Sequence, residues 1–201
     1  MKLKFLLAFA ALLFVLQAQQ PTCRQCSATY IDKSEIDAYL ARARAQNITD
    51  QQVRAVDIGK SNVAIGVVYR PKVTGDSAVA EHDLVSEVYH VISGSGTLVT
   101  GWDITEMQRR PPDNNAVKML NGPGNNGKSI RNSQTHQLKA GDVIVIPAGV
   151  GHWFTRIDDH IEYLMIRVDP DKVAPLKNAA ASQADLKSPP EPAGKAKAKA
   201  K

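Results

Sequence analysis

The sequence is poor in cysteine, in aromatic residues and, outside its termini, in net charge. Of 201 residues, two are cysteines and 5% are aromatic. The formal net charge is +5, but Lys2 and Lys4 contribute +2 and the segment 187–201 contributes +4, which leaves −1 for the remainder. A chain body without a basic surface lacks the charge by which nucleic-acid-binding proteins contact phosphates. We therefore predict no nucleic-acid partner, and the length suits one domain with extensions.

Long hydrophobic runs are missing except at the N-terminus. Two lysines precede an apolar run of twelve residues, Phe5 to Leu16, which is shorter than the roughly 20 residues needed to span a bilayer. With Ala18 as a small residue for cleavage, this pattern is typical of a secretory signal peptide. We predict a signal peptide at 1–18, a secreted or periplasmic mature protein and no stable membrane insertion after cleavage. An uncleaved N-terminal anchor is the alternative.

The two cysteines stand together as Cys23-Arg24-Gln25-Cys26. Haem attachment would require a histidine next, where the chain has Ser27, and no strand precedes the pair as in thioredoxin-type motifs. In an oxidising compartment this spacing favours a local or intermolecular disulfide. A redox pair and half of a metal site are the alternatives.

The segment GPGNNGKS at 122–129 satisfies the phosphate-loop pattern G-x-x-x-x-G-K-[ST]. Such a loop binds phosphate only between a buried strand and the start of a helix. The preceding NNAVKMLN is too short and polar for a buried strand, and the following SIRNSQTHQ has no amphipathic helical pattern. We interpret the segment as a loop and predict no nucleotide binding.

The rest of the pattern predicts one β-rich domain behind a helix. A capping sequence from Ser34 predicts a helix over 35–46, and the Asn-, Gly- and Pro-rich segment 101–133 predicts a long loop. Short Val-, Ile- and Tyr-rich segments separated by turn residues are typical of an all-β barrel or sandwich. These strands are predicted near 53–58, 62–69, 78–82, 86–92, 96–100, 134–138, 142–146, 152–156 and 160–168.

The predicted organisation has four parts. After the signal peptide come a helical extension at 19–52 and a barrel domain at 53–170. The segment 171–201, which ends in SPPEPAGKAKAKAK, has the composition of a disordered basic tail.

Candidate metal ligands lie in two segments on either side of the predicted loop. In the first, AEHDLVSEVYHVISGSG, His82 and Glu87 are separated by a short turn, and period-2 alternation places Tyr89 on the same face as Glu87. In the second, GDVIVIPAGVGHWFTR, turn residues follow an apolar strand and His152 opens the next strand. Two imidazoles and a carboxylate at strand ends suit a first-row divalent metal.

The two segments resemble the paired motifs of the cupin superfamily, G-x5-H-x-H-x3,4-E-x6-G and G-x5-P-x-G-x2-H-x3-N. His82, Glu87 and Gly94 match the first spacing. Gly141, Pro147, Gly149 and His152 match the second. The first histidine of the family falls at Ala80, the first glycine is one residue out of place at Gly75, and the closing asparagine is Arg156.

This resemblance implies a single-domain cupin barrel, a double-stranded β-helix or jelly roll, which commonly forms homodimers. It also implies a metal centre at His82, Glu87 and His152 that holds iron, manganese, nickel or zinc, with no further cofactor predicted. His136 is an alternative ligand if its strand points inward, whereas His90 and Trp153 are expected to face outward.

The implied ligand is a small molecule, and two function classes stay open. On the inward face, Arg156 would bind a substrate carboxylate through its forked guanidinium and Tyr89 would offer a hydroxyl, although a rim ion pair of Arg156 with Asp158 or Asp159 is the alternative. The first class is a metal-dependent oxygenase, isomerase or lyase that acts on a small organic acid or phenolic compound. The second is a non-catalytic, small-ligand-binding cupin without metal. The sequence identifies no catalytic residue beyond the ligands.

Overall fold

The computed structural model of the chain describes residues 21–23, 25–74 and 78–188. The predicted signal peptide and residues 189–201 of the predicted tail lie outside the described residues. Within the described ranges, no helix is both long and apolar enough to cross a membrane. Cys23 and Cys26 form a disulfide, so the local form of the predicted disulfide is the one observed.

The described residues form two α-helices, one π-helix and eleven strands. The helices are α1 (Lys33–Gln46), the π-helix (Ala116–Asn121) and α2 (Ala179–Lys187). The strands are β1 (Asp50–Asp57), β2 (Asn62–Thr74), β3 (Val79–His82), β4 (Ser86–Gly101), β5 (Asp103–Thr105), β6 (Gln108–Arg109), β7 (Gly124–Gly127), β8 (Ser129–Arg131), β9 (Gln134–Lys139), β10 (Val143–Ile146) and β11 (Gly151–Asp169).

Two long antiparallel strands, β4 and β11, form the centre of the barrel. They pair along almost their whole length, and register shifts in this ladder bend both strands. The free edge of β11 pairs with β2, and the free edge of β4 pairs with β9 and β10. The segments predicted as separate strands at 86–92 and 96–100 are one strand, because Gly94 (φ +71°) bends it without ending it. A side chain at Gly94 would lie 2.0 Å from the carbonyl oxygen of His160.

The barrel encloses one apolar core to which β2, β4, β9, β10 and β11 all contribute. The rings of Tyr89 and Tyr163 stack at its centre with centroids 4.3 Å apart. Antiparallel strands wound around one core form a cupin-like double-stranded β-helix, the fold class predicted from the sequence. The buried members of this core are Val68, Tyr89, Val91, Leu98, Leu138, Ile146, Phe154, Ile157, Ile161, Tyr163 and Met165.

The two α-helices pack against the outside of the sheet. Asp32 caps the N-terminus of α1, because its carboxylate accepts a hydrogen bond from the backbone N–H of Ser34. The helix buries Tyr39 and Leu40 against β1 and β2. Helix α2 docks on α1, because the Tyr39 hydroxyl donates to the carbonyl of Ser182 and the carboxylate of Asp185. The folded chain therefore continues through α2, past residue 170, where the predicted barrel domain ends.

The segment 101–133, predicted as a loop, contains four short strands and the π-helix, so this prediction is wrong. Strand β7 lies inside the GPGNNGKS segment and pairs with β3, with Gly124 opposite His82. A side chain at Gly124 would lie 2.2 Å from the carbonyl oxygen of Glu81. Polar residues form β7 because glycine permits this close backbone approach. The pairing of β7 with β3 leaves no apolar periodicity in the sequence by which it could have been predicted. The segment runs directly into strand β8, where a phosphate loop would require a helix.

Candidate metal site

The structure brings the three predicted ligands together inside the barrel. His82 ends β3, Glu87 lies near the start of β4, and His152 lies near the start of β11, and all three are buried. Nε2 of His82 lies 3.4 Å from Oε1 of Glu87, and Nε2 of His152 lies 3.4 Å from Oε2. One ligand atom from each residue lies within 4.8 Å of the other two.

The tautomer of His152 follows from its backbone contact. Its Nδ1 lies 3.1 Å from the carbonyl oxygen of Val150. Because a carbonyl only accepts, Nδ1 carries a proton, and Nε2 is the nitrogen that faces Glu87. A metal-binding histidine is oriented by this kind of contact.

His82 presents the same nitrogen to the cluster. Burial lowers its pKa to about 3 although Glu87 opposes the shift, and the nearby charge of Arg110 adds to the lowering. Its Nε2 lies 2.9 Å from Nδ2 of Asn121, whose amide nitrogen also lies 2.6 Å from Oε1 of Glu87. Only the nitrogen of the amide donates, so the contact with the carboxylate fixes the amide orientation. Nε2 of His82 accepts from this amide when the ring proton is on Nδ1.

Arg110 lies behind His82 and contributes charge there. Its guanidinium donates to the carbonyl oxygens of Glu81 and Asn125 at 2.8 and 2.7 Å. Its Nη1 is 3.4 Å from Nδ1 of His82 and directs a donor at that nitrogen. The guanidinium therefore favours the neutral form of His82, which is the form that binds metals.

Glu87 is the anionic centre of the cluster. Its burial raises the pKa, but the histidines and Arg167 outweigh that effect and hold the pKa well below its ordinary range. The Tyr89 hydroxyl donates to Oε2 at 2.8 Å, and Nε of Arg167 lies 3.6 Å from Oε1. The carboxylate is ionised and oriented before any ligand arrives.

Arg167 and Asp50, which the sequence analysis did not single out, extend this network. Arg167 is fully buried and contacts both Glu87 and Asp50, so two carboxylates share one guanidinium. Burial raises the pKa of Asp50. Among the described residues, Oδ1 of Asp50 and Nε of Arg167 are buried without a hydrogen-bond partner.

The predicted substrate-binding residues have different outcomes. Tyr89 is 1% exposed and contacts Glu87, so it belongs to the surroundings of the cluster. The prediction that Arg156 faces the pocket is wrong. Its side chain is 66% exposed and pairs with Asp158 at 2.7 Å. A register shift of β11 between Phe154 and Arg156 breaks the alternation on which the prediction relied.

The remaining histidines lie elsewhere. His136 contacts the hydroxyl of Thr100 at 2.9 Å and is not part of the cluster, His90 is exposed as expected, and His160 lies beside Ser93 and Asp159. Trp153 is half-buried.

A cavity of about 340 Å³ is lined mainly by residues of β4, β9, β10 and the turn after β10, and by none of the three ligands. Its wall includes Ile146, which is paired with Glu87 across β10 and β4, and Val150, whose carbonyl contacts His152. Small-molecule sites commonly have volumes of roughly 300–1,000 Å³. The rest of the lining is Thr100, Gly101, Trp102, Asn132, Gln134, His136, Ile144, Val145 and Pro147.

The donor set fits a divalent transition metal. With metal–ligand bonds of about 2.1 Å, tetrahedral ligands lie about 3.4 Å apart, which matches both histidine–carboxylate separations. Two imidazoles and one carboxylate leave coordination positions for water or substrate. His82, Glu87 and His152 would hold the ion.

Comparison with known proteins gives a partial family match. Residues 126–193 match the model of the AraC-like ligand binding domain, a range that includes His152. A search of curated proteins finds no significant match.

Solved structures with a similar arrangement share little sequence with the chain. A structure of DMSP lyases is 22% identical, covers 52% of this chain and has a TM-score of 0.32, and the match spans only 37% of the lyase chain. A cupin-2 domain protein from Shewanella frigidimarina is 18% identical and has a TM-score of 0.36. The match covers 67% of this chain and 95% of the Shewanella chain. An RmlC-like cupin family protein from Methanocaldococcus jannaschii is 14% identical and has a TM-score of 0.38. The match covers 75% of this chain and 98% of the other chain.

These similarities are too low to carry function. The strand pairing described above defines the architecture: the chain has a cupin-like fold with a buried cluster of two histidines and one glutamate.

Proposed function

We propose that the protein is an exported cupin-fold metalloprotein that binds a divalent metal through His82, Glu87 and His152. The metal is iron, manganese, nickel or zinc, and the protein binds or acts on a small organic acid or phenolic compound. One observation carries the proposal. The carbonyl of Val150 orients His152 so that its Nε2 faces a carboxylate oxygen of Glu87 3.4 Å away.

Two acceptors that face each other in a buried site repel unless a cation lies between them. A proton can bridge one such pair, whereas a metal ion serves both histidines and the carboxylate at once. Nε2 of His82 also lies near Glu87, so ligand-type atoms of three residues converge on one small volume. This arrangement supports a metal more than it supports a purely structural cluster.

The surrounding residues prepare the site for a small molecule. Tyr89 orients Glu87 by a hydrogen bond, and burial, with a smaller contribution from the charge of Arg110, lowers the pKa of His82 and so favours its neutral form. When bound, the metal supplies Lewis-acid or oxygen-activating chemistry. The cavity lined by Ile146 and Val150, neighbours of Glu87 and His152, has the volume for a small aromatic or acidic compound. Arg156, at the surface, offers no carboxylate clamp there.

Whether the protein turns its ligand over depends on chemistry beyond the ligand set. Oxygenase, isomerase and lyase reactions are all compatible with this donor set and a cavity of this volume. We propose enzymatic action of this kind as the first function class.

A second candidate is non-catalytic binding of a small ligand without metal. One observation favours it: the amide of Asn121 already donates to both His82 and Glu87, so the cluster is partly satisfied without an ion. The partial match to an AraC-like ligand binding domain also fits this function.

Export and self-association complete the proposal. The N-terminal pattern and the disulfide between Cys23 and Cys26 support an oxidising compartment. The exposed apolar side chains of Val143 and Val145 on β10 support a homodimer formed at that strand. Light scattering coupled to gel filtration tests the dimer, and N-terminal sequencing of the mature protein tests export.

The decisive experiment is elemental analysis of purified mature protein beside a His82→Ala, His152→Ala double variant. The matched control is a His90→Ala, His136→Ala double variant, which removes two histidines outside the cluster. We expect near-stoichiometric metal in the wild type and in the control, and none in the first variant. Absence of metal from all three, even after anaerobic reconstitution with each of the four ions, would contradict the metal proposal and favour the ligand-binding barrel.

A further inference from the structure

We propose that Asn121 is a fourth protein ligand of the metal centre and binds through its carbonyl oxygen. This inference rests on the proposed metal function. Position 80, opposite His152 in the pairing of β3 with β11, is an alanine and offers no ligand atom. Asn121, at the end of the π-helix, contacts both His82 and Glu87.

The geometry places the Asn121 amide inside the coordination sphere. Its nitrogen lies 2.9 Å from Nε2 of His82 and 2.6 Å from Oε1 of Glu87, the atoms that face the metal position. These are hydrogen-bond distances, so the amide is already in contact with two of the atoms that would bind the ion. Asn121 is 3% exposed, so its amide has little access to water as an alternative partner.

The amide suits the cluster both with and without the ion. Without metal, its NH₂ group donates to the histidine and the carboxylate. With metal, the lone pair of His82 and the charge of Glu87 are directed to the ion, and the NH₂ group loses both acceptors. A half-turn about the last side-chain bond exchanges oxygen and nitrogen, which have nearly the same size. The oxygen then offers a lone pair of the type that binds hard divalent cations.

The backbone around Asn121 explains how it reaches the site. It is the last residue of the π-helix, and such single-turn features frequently occur at functional sites. Gly122 follows at φ +64°, where a side chain would lie 2.3 Å from Val173. The carbonyl of Pro123 accepts a hydrogen bond from the backbone of Asp83, and Gly124 pairs with His82. The glycines that resemble a phosphate loop therefore hold Asn121 against the metal ligands.

A fourth protein ligand reduces the number of coordination positions that remain for a substrate. Three protein ligands leave about three positions of an octahedral ion, and four leave about two. Two adjacent positions suit a compound that chelates through neighbouring oxygens, such as an α-hydroxy acid, an enediol or a catechol.

The test compares metal affinity in three variants, with Zn²⁺ and Mn²⁺ as probes and a competing chelator. Asn121→Ala removes the oxygen and should weaken binding on the order of tenfold or more. Asn121→Asp keeps an oxygen at the same place and should bind at least as tightly as the wild type. Asn115→Ala is the matched control, because Asn115 lies at the start of the same π-helix, is exposed and makes no side-chain capping hydrogen bond. Its affinity should equal that of the wild type.

The outcomes separate the inference from the function it rests on. If Asn121→Ala binds metal as tightly as the wild type, or more tightly, Asn121 only spaces the histidine from the glutamate and the inference is overturned while the metal site stands. If the wild type itself binds neither ion, both proposals fail. Thermal unfolding of each metal-free variant shows whether the fold is kept, and the Asn121→Asp variant serves as the measurement if Asn121→Ala does not fold.

Discussion

Two buried polar clusters of this protein differ in how their charges are balanced. Between the helices and the sheet, Arg54 donates to both oxygens of Glu35 at 2.8 and 3.0 Å. Asp185 likewise accepts from Arg42 and Lys177. Each acid there faces its own base. Inside the barrel, by contrast, Glu87 and Asp50 share the single guanidinium of Arg167, and two imidazoles meet the same carboxylate. The first arrangement stabilises the packing of the helices, and the second has capacity for a cation.

The largest expected effect comes from breaking the closed cluster, in which each acid faces a base. Arg54→Met would leave Glu35 buried without its cation, and loss of one partner of a buried pair costs about 3–5 kcal/mol. We expect the free energy of unfolding to fall by that amount in urea titrations. Metal affinity at native conditions should be unchanged. A compensating Glu35→Leu change should recover most of the stability, and failure to do so would mean that the pair is not the main contact.

The next largest effect is expected at the cluster of His82, Glu87 and His152 inside the barrel. Glu87→Gln removes the only formal negative charge among the three ligands, and metal affinity should fall by more than about 100-fold, or about 2.7 kcal/mol. Glu81→Gln is the control, because Glu81 is also buried but contacts Asn125 rather than the cluster. Isothermal titration with Zn²⁺ measures both. Equal affinity of the Glu87→Gln variant and the wild type would contradict the proposed centre.

Acid should weaken the contact between α1 and the sheet at the pair of Arg44 with Glu162. Burial raises its pKa, but the hydrogen bonds from Arg44 and Ser93 outweigh that effect, so the folded-state pKa lies below the ordinary 4.5. As the pH falls, the unfolded chain takes up the proton first. The stabilisation is therefore complete above about pH 4.5 and is lost as the pH falls through the folded-state pKa.

Unfolding midpoints of wild type and Glu162→Gln from pH 7 to pH 3 measure this contribution. The wild type should lose more stability than the variant, by less than about 1 kcal/mol, because Arg44 is half-exposed. Asp158→Asn, in an exposed pair, should follow the wild type. Identical curves for wild type and Glu162→Gln would rule out the pair as an acid-sensitive contact.

The smallest effect is expected at the surface. Arg156→Ala breaks an ion pair whose two side chains are each 66% exposed, so stability should change by no more than about 0.5 kcal/mol. Metal affinity should be the same as in the wild type. A marked loss of ligand binding in this variant would restore the carboxylate-binding role that the sequence suggested.

Part of the site could be predicted because its signal is local. His82 and Glu87 are five residues apart across one turn, and His152 follows its own turn. The spacing of these residues carries the metal pattern without knowledge of the fold. Regular alternation also placed Tyr89 on the inner face correctly, since β4 has no register shift between Glu87 and Tyr89.

The contacts that sequence missed depend on pairing between distant segments. Asn121 reaches His82 through the pairing of β3 with β7, a strand of glycine and asparagine with no apolar periodicity. Arg167 continues the buried alternation of Tyr163 and Met165 on β11, and its guanidinium meets Asp50 from a strand far earlier in the chain. Arg156 was misplaced for a different reason, because a bulge shifts the face of β11.

The π-helix gives the chain tolerance to a change in length beside the site. A π-turn holds one residue more than the corresponding α-turn, so deletion of a single residue between Asn115 and Asn121 would let the segment relax to the α-helical repeat. Fewer residues at roughly 100° each then cover nearly the same rotation, so the last side chain would still face His82 and Glu87. Substitution of Asn121, rather than a change in the length of this segment, is therefore the route by which the number of protein donors at the centre would evolve.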